Sequence, residues 1–559
     1  MNDFNNLFKI VKKELTSEGQ MFEIRSITNG DNSYDEYVSF PENLKGYFDI
    51  AMLHADKEFI VYNSERFTFK DIYEKSAQFA NALKDYGIKK GDRVSICMQN
   101  NPEYIIAYMG ITGLGAICVP LNSWWVPDEI IYAVEHSESK ILVGDLKRLK
   151  GLETLSDLKK IVTSYTPSDE FQSFKDFINN KSVTWPENDL NRDDHATIYY
   201  TSGSTGKPKG VLSSQRGIIS TMFSWACYSS IVAECNKRLD KEEESLLNPE
   251  LSILLCVPLF HATGSHAIFL MSILIGRKII MMKKWDAGIA LKLIHDEKIT
   301  DITGVPTQTW ELLNHPDRSK YDLSSLRTLG GGGGPRPAEH VKLLDNGFKA
   351  RPGIGYGLTE TNALGTLGNG DEYIANPTSA GRVVPPLTKI KILNQNGQKA
   401  EEGEIGEIII KSQSNMIGYW KNDKATKNCL TDDGWLSTGD LGKFEGPHLF
   451  IVDRIKDIVI RGGENIACPE VENAIYKHPD VLEVCVFGIP DERLGELLCA
   501  SIFLREESNL CQEDLKKFLS DKLAAFKIPI KIKFSSNNLP LLASGKFDKP
   551  SLRKEFLSS

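Results

Sequence analysis

Residues 197–212 of the 559-residue chain are TIYYTSGSTGKPKGVL. An apolar run precedes the loop at Thr197–Tyr200 and another begins at Val211, so we expect a strand on each side of a tight turn. The turn itself, Thr201–Gly210, holds glycines, four hydroxyl side chains and two lysines. Glycine lets backbone amides approach an anion closely, while hydroxyl and ammonium groups add donors and positive charge. The stretch therefore predicts a loop that binds the phosphates of a nucleoside triphosphate.

This loop differs from a phosphate loop of the Walker type. That type needs Gly where this chain has Thr201, and Ser or Thr where it has Pro208. The hydroxyl that holds magnesium in the Walker class is therefore missing, and another residue must supply that ligand. Taken alone, the loop also fits a mobile surface turn.

On the N-terminal side of the loop, helical and strand patterns alternate. Thr68 and Asp71 form a capping box, which begins a helix because each side chain satisfies a free amide group. The segments that follow are predicted as strands 94–98, 116–119 and 141–143 and helices 104–114 and 127–135. Such alternation predicts an α/β fold with a mostly parallel sheet covered by helices.

On the C-terminal side the pattern changes. The charged stretch 236–250 lacks periodicity and predicts a solvated loop. Residues 389–393 and 406–411, around an Asn396-Gly397 turn, predict a hairpin. A smaller unit after Asp453 is predicted to hold strands 482–487 and 501–504 and a helix with Leu515, Phe518, Leu519 and Leu523 on one face.

Composition and charge limit the function. Lys and Arg number 66 against 75 Asp and Glu, a formal charge of −9, and 41% of the residues are hydrophobic. The apolar content excludes a disordered chain, and the mild acidity argues against a nucleic-acid partner. Ten scattered cysteines without a C-x-x-C pair are typical of reduced thiols, so we expect a cytoplasmic protein.

The N-terminus does not resemble a signal peptide, because Asp3 comes early and no long apolar core follows. No apolar stretch is long enough to span a bilayer. Phe4, Phe8 and Val11 recur on one helical face. We expect this helix to pack on its own protein, with contact to a membrane surface as the alternative. The sequence leaves open whether the protein forms a homodimer.

Residues 200–211, YTSGSTGKPKGV, resemble the signature loop of the acyl-adenylate-forming superfamily, which comprises acyl-CoA synthetases, firefly-type luciferases and peptide-synthetase adenylation domains. Further segments resemble motifs of this family in the same order: 330–335, 355–361, 435–440, 453–457, 461–466 and 544–549. The resemblance implies a large N-terminal domain, 1–453, of mostly parallel sheets flanked by helices with a β-rich subdomain. It also implies a hinge, 454–456, and a small mobile α+β C-terminal domain, 457–559.

The resemblance further implies a role for individual residues. Contacts to the nucleotide are implied for Thr201, Ser202, Gly203, Ser204, Thr205, Gly206, Lys207, Gly332, Gly333, Gly334, Tyr356, Gly357, Thr359, Asp440, Arg454 and Lys546. Catalytic roles are implied for Thr205, Lys207, Glu360 and Lys546, and Glu360 is the implied magnesium ligand. Lys456 is implied as the hinge residue, and Gly463 is implied to lie beside the coenzyme A tunnel. The chain departs from the family at Lys549, where Arg is frequent, and at Gln215, where His is frequent.

The activity implied is ligation of a carboxylic acid to a thiol at the expense of ATP. The acid displaces pyrophosphate to form acyl-AMP, and coenzyme A then displaces AMP. Magnesium, loop amides and Lys546 stabilise the charge that gathers at the α-phosphorus. Because only 13 residues follow Lys546, no carrier domain fits there, and we expect a diffusible acceptor, coenzyme A.

The acid is predicted from the segment 258–264, which resembles the family segment beside the acyl pocket and places His261 and Gly264 there. The surrounding residues are apolar and include no basic residue suited to a second carboxylate, which favours a medium- or long-chain fatty acid, then an aromatic or terpenoid-like acid. Three alternatives are an adenylation enzyme that loads a separate carrier protein, a luciferase-like oxygenase and a nucleotide-binding protein without catalysis. A nucleotide-binding protein without catalysis would be expected to have lost Lys546, Glu360 or residues of the loop, and all of these residues are present.

Overall fold

The predicted capping box at Thr68 and Asp71 is present in the structure, a computed structural model. The Thr68 hydroxyl accepts from the Asp71 amide at 3.0 Å, and the Asp71 carboxylate accepts from the Thr68 amide at 2.8 Å. The structure describes residues 2–29, 32–152, 154–155, 157–163, 171–201, 207–241, 251–334, 336–348, 350–542 and 545–558.

The elements of the first part of the chain are α1 Asn2–Leu15, β1 Ile24–Asn29, β2 Asn32–Tyr37, α2 Leu44–Phe48, β3 Glu58–Tyr62, β4 Glu65–Thr68, α3 Phe69–Asp85, β5 Arg93–Cys97, α4 Pro102–Leu114, β6 Ile117–Pro120, α5 Pro127–Ser137, β7 Ser139–Gly144, α6 Leu146–Leu149, β8 Lys159–Val162, β9 Gln172–Ser173 and α7 Phe174–Ile178. The middle part holds β10 His195–Thr201, β11 Lys209–Ser214, α8 Gln215–Arg238, β12 Ser252–Leu255, a π-helix Thr263–Leu270, α9 Met271–Ile275, β13 Lys278–Met281, α10 Ala287–Glu297, β14 Asp301–Gly304, α11 Pro306–Asn314, β15 Thr328–Gly331, α12 Ala338–Phe348, β16 Arg351–Tyr356, β17 Thr366–Asn369, α13 Gly370–Ala375 and β18 Gly381–Val383.

The last part holds β19 Lys389–Leu393, β20 Gly406–Lys411, β21 Gly418–Tyr419, α14 Asp423–Lys427, β22 Trp435–Glu445, β23 His448–Arg454, β24 Val459–Arg461, β25 Glu464–Ile466, α15 Cys468–Ile475, β26 Val481–Asp491, β27 Gly495–Leu504, α16 Gln512–Ser520, β28 Lys531–Ser535 and α17 Lys549–Leu557. Short 3₁₀ turns lie at Asp49–His54, Arg318–Lys320, Thr359–Thr361 and Ala525–Lys527.

Two large sheets form the N-terminal domain. The first has the strand order β21-β11-β10-β6-β5-β7-β8-β9 and is parallel from β10 to β9. The second has the order β19-β20-β22-β23-β18-β17-β16-β15-β14-β12-β13-β3-β4 and is parallel from β16 to β3. These parallel regions confirm the predicted α/β class. The predicted β-rich part continues the second sheet as antiparallel strands, which include the predicted hairpin β19–β20.

A smaller C-terminal domain carries a five-stranded sheet, β25-β24-β27-β26 with β28 beside β27, and the helices α15 to α17. Its core is separate from that of the large domain because Val486 and Ile502 of the sheet pack with Val471 and Leu519 of the helices. The predicted strands lie within β26 and β27. The predicted helix ends at Ser520, so Leu523 lies beyond it.

The N-terminal helix α1 packs against the large domain, as expected. Val11 is fully buried, Phe8 is 8% exposed, and the Phe8 ring lies 6.0 Å from the ring of Tyr228 on α8. Arg382 is positioned over the rings of Phe4 and Phe8, which fixes the start of the helix. Within the described part of the chain, no helix combines the length and the apolar character needed to cross a membrane.

The prediction of a loop from residue 236 onward is wrong at its start. Helix α8 continues to Arg238, whose guanidinium pairs with Glu234 on the same helix and with Glu14 on α1. These ion pairs extend a helix whose sequence at this point shows charge but no apolar face. Residues 242–250 lie outside the described residues.

Candidate active site

A cleft of about 2870 Å³ lies between the second sheet and the C-terminal domain. The parallel strands β14, β15 and β16 direct their carboxyl ends toward it, which is the edge of an α/β sheet where ligands bind. The strands β22 and β23 and the loop between β28 and α17 complete its walls.

The glycine and hydroxyl loop has a strand on each side, as predicted. Strands β10 and β11 are antiparallel, and Thr201 pairs with Lys209 where the loop begins and ends. Thr201 lines the cleft, and Lys207 is exposed with its ammonium group 5.0 Å from the centre of the Tyr132 ring. The predicted phosphate-binding residues Ser202, Gly203, Ser204, Thr205 and Gly206 lie outside the described residues.

Asp440 is a buried carboxylate in the wall of the cleft, 4% exposed. The register of β22 and β23 places it opposite Arg454, whose Nε lies 3.3 Å from Asp440 Oδ1. Tyr356, at the end of β16, donates its hydroxyl to Asp440 Oδ2 at 2.8 Å. Burial and the charge of Asp440 raise the pKa of Tyr356, so the phenol keeps its proton. Because each carboxylate oxygen can accept more than one hydrogen bond, Asp440 can also accept from a hydroxyl group of a ligand.

The glycine segment Gly332, Gly333 and Gly334 lines the cleft beside Tyr356. Gly333 has a φ of +75°, and a Cβ atom there would lie 3.9 Å from Cε of Lys546. At Gly334 no atom of the described residues lies within 4 Å of the Cβ position, so the backbone is open on this side.

Gly357 has a different explanation. A Cβ atom there would lie 2.3 Å from the carbonyl oxygen of Ala363. The backbone turn between β16 and the Thr359–Thr361 segment therefore requires glycine at this position for packing, with or without a ligand.

Lys546 lies on the loop between β28 and α17 and lines the cleft. Gly545 has a φ of +77°, and a Cβ atom there would lie 2.6 Å from Cγ2 of Val305, so glycine is needed for this loop to dock on the large domain. Although the side chain of Lys546 is exposed to the solvent of the cleft, protein surrounds it closely. Desolvation and the charge of Arg454 lower the pKa of Lys546 to about 8.

His261 lies within electrostatic range of Lys546 and lines the cleft. Burial, aided by the charge of Lys546, lowers the pKa of His261 to about 4, so the imidazole is neutral near pH 7. Its Nε2 has no hydrogen-bond partner among the described residues. This ring is therefore an uncharged wall of the cleft with one nitrogen available to a bound group.

Glu360 lies in the turn that follows β16 and lines the cleft next to Thr359. Tyr419 donates its hydroxyl to Glu360 Oε1 at 2.8 Å, and the charge of Glu360 adds to burial in raising the pKa of Tyr419. The ammonium group of Lys209 lies 4.6 Å from the Tyr419 ring. Among the described residues the side-chain contact of Glu360 is the hydrogen bond from Tyr419 at Oε1, which leaves Oε2 for a hard cation.

An aromatic contact joins the two domains at the edge of the cleft. The rings of Trp310 and His340 stack at 3.8 Å, and Tyr476 of the C-terminal domain meets His340 edge-on at 5.1 Å. Lys456, the predicted hinge residue, lies in the turn between β23 and β24 and also lines the cleft.

Three predicted site residues in the described part of the chain do not line the cleft: Lys207, Gly264 and Gly463. Gly264 packs behind its wall, because a Cβ atom there would lie 2.3 Å from the carbonyl oxygen of Pro258, while Ala262 and Thr263 line the cavity. Gly463 is in the exposed turn between β24 and β25 with a φ of +90°. The orientation of the C-terminal domain that brings Lys546 to the cleft leaves this turn outside it.

Two residues of the site were not singled out from the sequence. Tyr419 reaches Glu360 because β21 pairs with β11, with Tyr419 opposite Val211. Gly545 was visible only as part of a motif, whereas its contact with Val305 depends on how the domains dock.

Comparison with known proteins identifies the class. Residues 48–420 match the AMP-binding enzyme family, and residues 470–546 match the AMP-binding enzyme C-terminal domain. The chain belongs to this family of adenylate-forming enzymes and is an enzyme of the AMP-forming ligase class.

Individual relatives align over nearly the whole chain. A feruloyl-CoA synthase of an Amycolatopsis species is 32% identical over 88% of this chain and 94% of its own length. The long-chain-fatty-acid–CoA ligase FadD13 of Mycobacterium tuberculosis is 30% identical over 88% of this chain and 93% of its own. The crystal structure of ATP-bound MatB from Rhodopseudomonas palustris has a TM-score of 0.81 and 26% identity, covering 92% of this chain and 99% of that one.

Proposed function

We propose that the protein activates a carboxylic acid with ATP and transfers the acyl group to coenzyme A. In the first step a carboxylate oxygen bonds to the α-phosphorus and the bond to pyrophosphate breaks. In the second, the thiol sulfur bonds to the acyl carbon, the carbon–oxygen bond to AMP breaks, and the thiol proton passes to solvent. The observation that carries this proposal is the meeting of Lys546 with Asp440, Arg454 and the glycine segment in one cleft.

The nucleotide has a contact for each of its parts. The open backbone at Gly332–Gly334 accommodates a flat base, and the ring of Tyr356 is available for stacking. Asp440 accepts from the ribose hydroxyls, and Arg454 donates to ribose or phosphate. Thr359 and the loop from Thr201 to Lys207 donate to the phosphates.

Lys546 places a cation where charge develops in the first step. A carboxylate is ionised near pH 7 and needs no general base to attack. The ammonium group bridges the acid and the α-phosphate, and its stabilisation is greatest when negative charge gathers there. Thr205, which lies outside the described residues, and Lys207 also act on the phosphates in this proposal.

Magnesium is a required partner of the triphosphate in this proposal, and Glu360 is the residue that would hold it. The Glu360 carboxylate has no ammonium or guanidinium partner in the part of the chain that the structure describes, which suits this hard cation. When bound, the ion neutralises phosphate charge. Tyr419 orients the carboxylate through its 2.8 Å hydrogen bond.

The second step uses a different orientation of the C-terminal domain. We place the domain boundaries at 1–453, 454–456 and 457–559, with rotation about Lys456. The structure has Lys546 in the cleft and Gly463 outside it, which is the arrangement suited to adenylation. Rotation would exchange the two and bring Gly463 beside the pantetheine tunnel. Such motion gates the steps.

The acid occupies the cavity next to His261. Ala267 and Met271 contribute apolar walls, which favours a medium- or long-chain fatty acid. The alternative acceptor is a separate carrier protein. Free, mostly buried cysteines support a reducing compartment such as the cytoplasm, where ATP and coenzyme A are available.

The test is formation of AMP and pyrophosphate from ATP by the purified protein with magnesium and a panel of fatty and aromatic acids. We expect pyrophosphate exchange without an acceptor and acyl-CoA by mass spectrometry when coenzyme A is added. Transfer to carrier protein alone would favour the alternative acceptor. No AMP with any acid, with or without coenzyme A, would overturn the proposal.

A further inference from the structure

Two contacts join the C-terminal domain to the region of helix α11 in the large domain. At the start of α11, the loop between β28 and α17 docks on Val305, because a Cβ atom added at Gly545 would lie 2.6 Å from Cγ2 of Val305. Further along the same helix, Trp310 stacks on His340, and His340 meets Tyr476 of the C-terminal domain. The rise of an α-helix, about 1.5 Å a residue, places Val305 and Trp310 roughly 7.5 Å apart along its axis. A second contact at this distance restricts the rotation that a single contact would leave free.

The aromatic contact is close and largely shielded from solvent. The rings of Trp310 and His340 lie 3.8 Å apart at an angle of 9°, and those of His340 and Tyr476 lie 5.1 Å apart at 69°. The second pair has the edge-to-face geometry that aromatic rings prefer. His340 is 7% exposed, and burial, aided by the charge of Arg336, lowers the pKa of His340 to about 3. The imidazole is therefore neutral near pH 7 and packs as an uncharged ring.

Each side of this contact is fixed by the core of its own domain. Trp310 and His340 belong to α11 and α12. Both helices pack into the core of the large domain, through Leu312 and Leu344 respectively. The Tyr476 ring packs on the core of the C-terminal domain, and its hydroxyl accepts from a backbone amide of β26 at 3.2 Å. Rotation of one domain against the other therefore separates His340 from Tyr476 without unfolding either domain.

The contact bears on Lys546 because Lys546 and Tyr476 move together with the C-terminal domain. Lys546 lines the cleft in the same orientation in which Tyr476 meets His340. A rotation that withdraws Lys546 from the cleft also carries Tyr476 away from His340. The ring contact therefore stabilises the orientation that has the lysine in place.

We propose that His340 and Tyr476 are positioning residues for Lys546. Within the function proposed above, their contact holds the C-terminal domain in the orientation used for adenylation, and it breaks when the domain rotates for transfer to coenzyme A. The two rings act on the position of the domain and leave the chemistry of each step to other residues.

The ratio of the two half-reaction rates measures this effect. Each rate is proportional to the fraction of the protein in the orientation that the step uses, provided that the domain moves faster than either step. The ratio of adenylation to transfer is then proportional to the equilibrium constant between the two orientations. Unfolded protein does not alter the ratio, because it lowers both rates equally. Loss of one aromatic contact should lower the ratio roughly three- to tenfold.

The test measures this ratio in variants of the full chain. Adenylation is followed by pyrophosphate exchange with the acid of the panel that exchanges fastest. Transfer is followed as AMP release from the synthetic acyl-AMP of that acid and coenzyme A. Tyr476→Leu and His340→Leu should each lower the ratio roughly three- to tenfold. The double variant should lower it no further, because either change alone removes the contact.

Two further variants are controls. Tyr476→Phe keeps the ring and should keep the ratio within about twofold. Phe518→Leu removes an edge contact with His478, at 4.9 Å and 76°, that lies wholly within the C-terminal domain. This matched change should leave the ratio as in the unchanged protein, because it does not involve the large domain.

An unchanged ratio in both leucine variants of the interdomain contact would overturn the positioning role. Equal losses in Tyr476→Phe and Tyr476→Leu would do the same, as would a loss in Phe518→Leu as large as that in Tyr476→Leu, or losses that multiply in the double variant. If no acid yields AMP, or if no acyl-CoA forms, the proposed function itself fails, so the two failures are distinguishable.

Discussion

Replacing Lys546 with alanine should separate the two half-reactions. The change removes a cation that lies beside Gly333 and Arg454 in the cleft and leaves the fold of the exposed loop intact. Loss of one preorganised donor to developing charge costs on the order of 10²–10³ in rate, or about 3–4 kcal/mol. We expect acyl-AMP formation to fall by that factor, while attack of coenzyme A on preformed acyl-AMP changes by less than about threefold.

The pKa of Lys546 adds a pH dependence. With a pKa of about 8 in the free enzyme, roughly nine tenths of the side chain is protonated at pH 7 and roughly one tenth at pH 9. The cation is lost as pH rises through 8, so kcat/KM for adenylation should fall above pH 8. Lys546→Arg should remove this decline, because arginine keeps its charge.

The assay for the first step is pyrophosphate exchange at several pH values. The second step is followed as AMP release from synthetic acyl-AMP and coenzyme A. Lys554→Ala, an exposed change on α17, is the control and should behave as the unchanged protein. Equal losses in both steps, or a loss below tenfold in the first, would refute the role given to Lys546.

Further predictions concern magnesium, ribose and stability. Glu360→Gln should raise the magnesium concentration required for pyrophosphate exchange at least tenfold. Tyr419→Phe should raise this concentration less, because only an orienting hydrogen bond is lost. An unchanged magnesium requirement in Glu360→Gln would contradict the assignment of Glu360 as the metal ligand. Asp440→Asn should raise KM for ATP by roughly 10- to 100-fold, since hydrogen bonds to a charged group contribute about 1.5–3 kcal/mol, and steady-state kinetics measures this. Phe8→Ala should lower the free energy of unfolding by about 3 kcal/mol in urea titrations, whereas Ile10→Ala, 52% exposed on the same helix, should change it by less than about 0.5 kcal/mol. Similar effects of the last two changes would show that α1 does not pack as described.

The amino-acid sequence determined the features that depend on near neighbours. The capping box at Thr68, the hairpin around the loop and the parallel strands follow from patterns a few residues long, which local hydrogen bonding and alternation decide. Motif order along the chain was enough to indicate the adenylate-forming family. The extension of α8 to Arg238 was missed because its partner, Glu14, lies far away in the sequence.

Only the tertiary structure decided which of these motifs meet. Tyr419 bonds to Glu360 across 59 residues because two strands pair in a register that no local pattern specifies. The placement of Lys546 in the cleft and of Gly463 outside it depends on how two separately folded cores dock. Contacts of this kind arise from the packing of whole helices and strands. The sequence therefore determines the chemical group that each residue carries, whereas the folded structure determines which group it contacts.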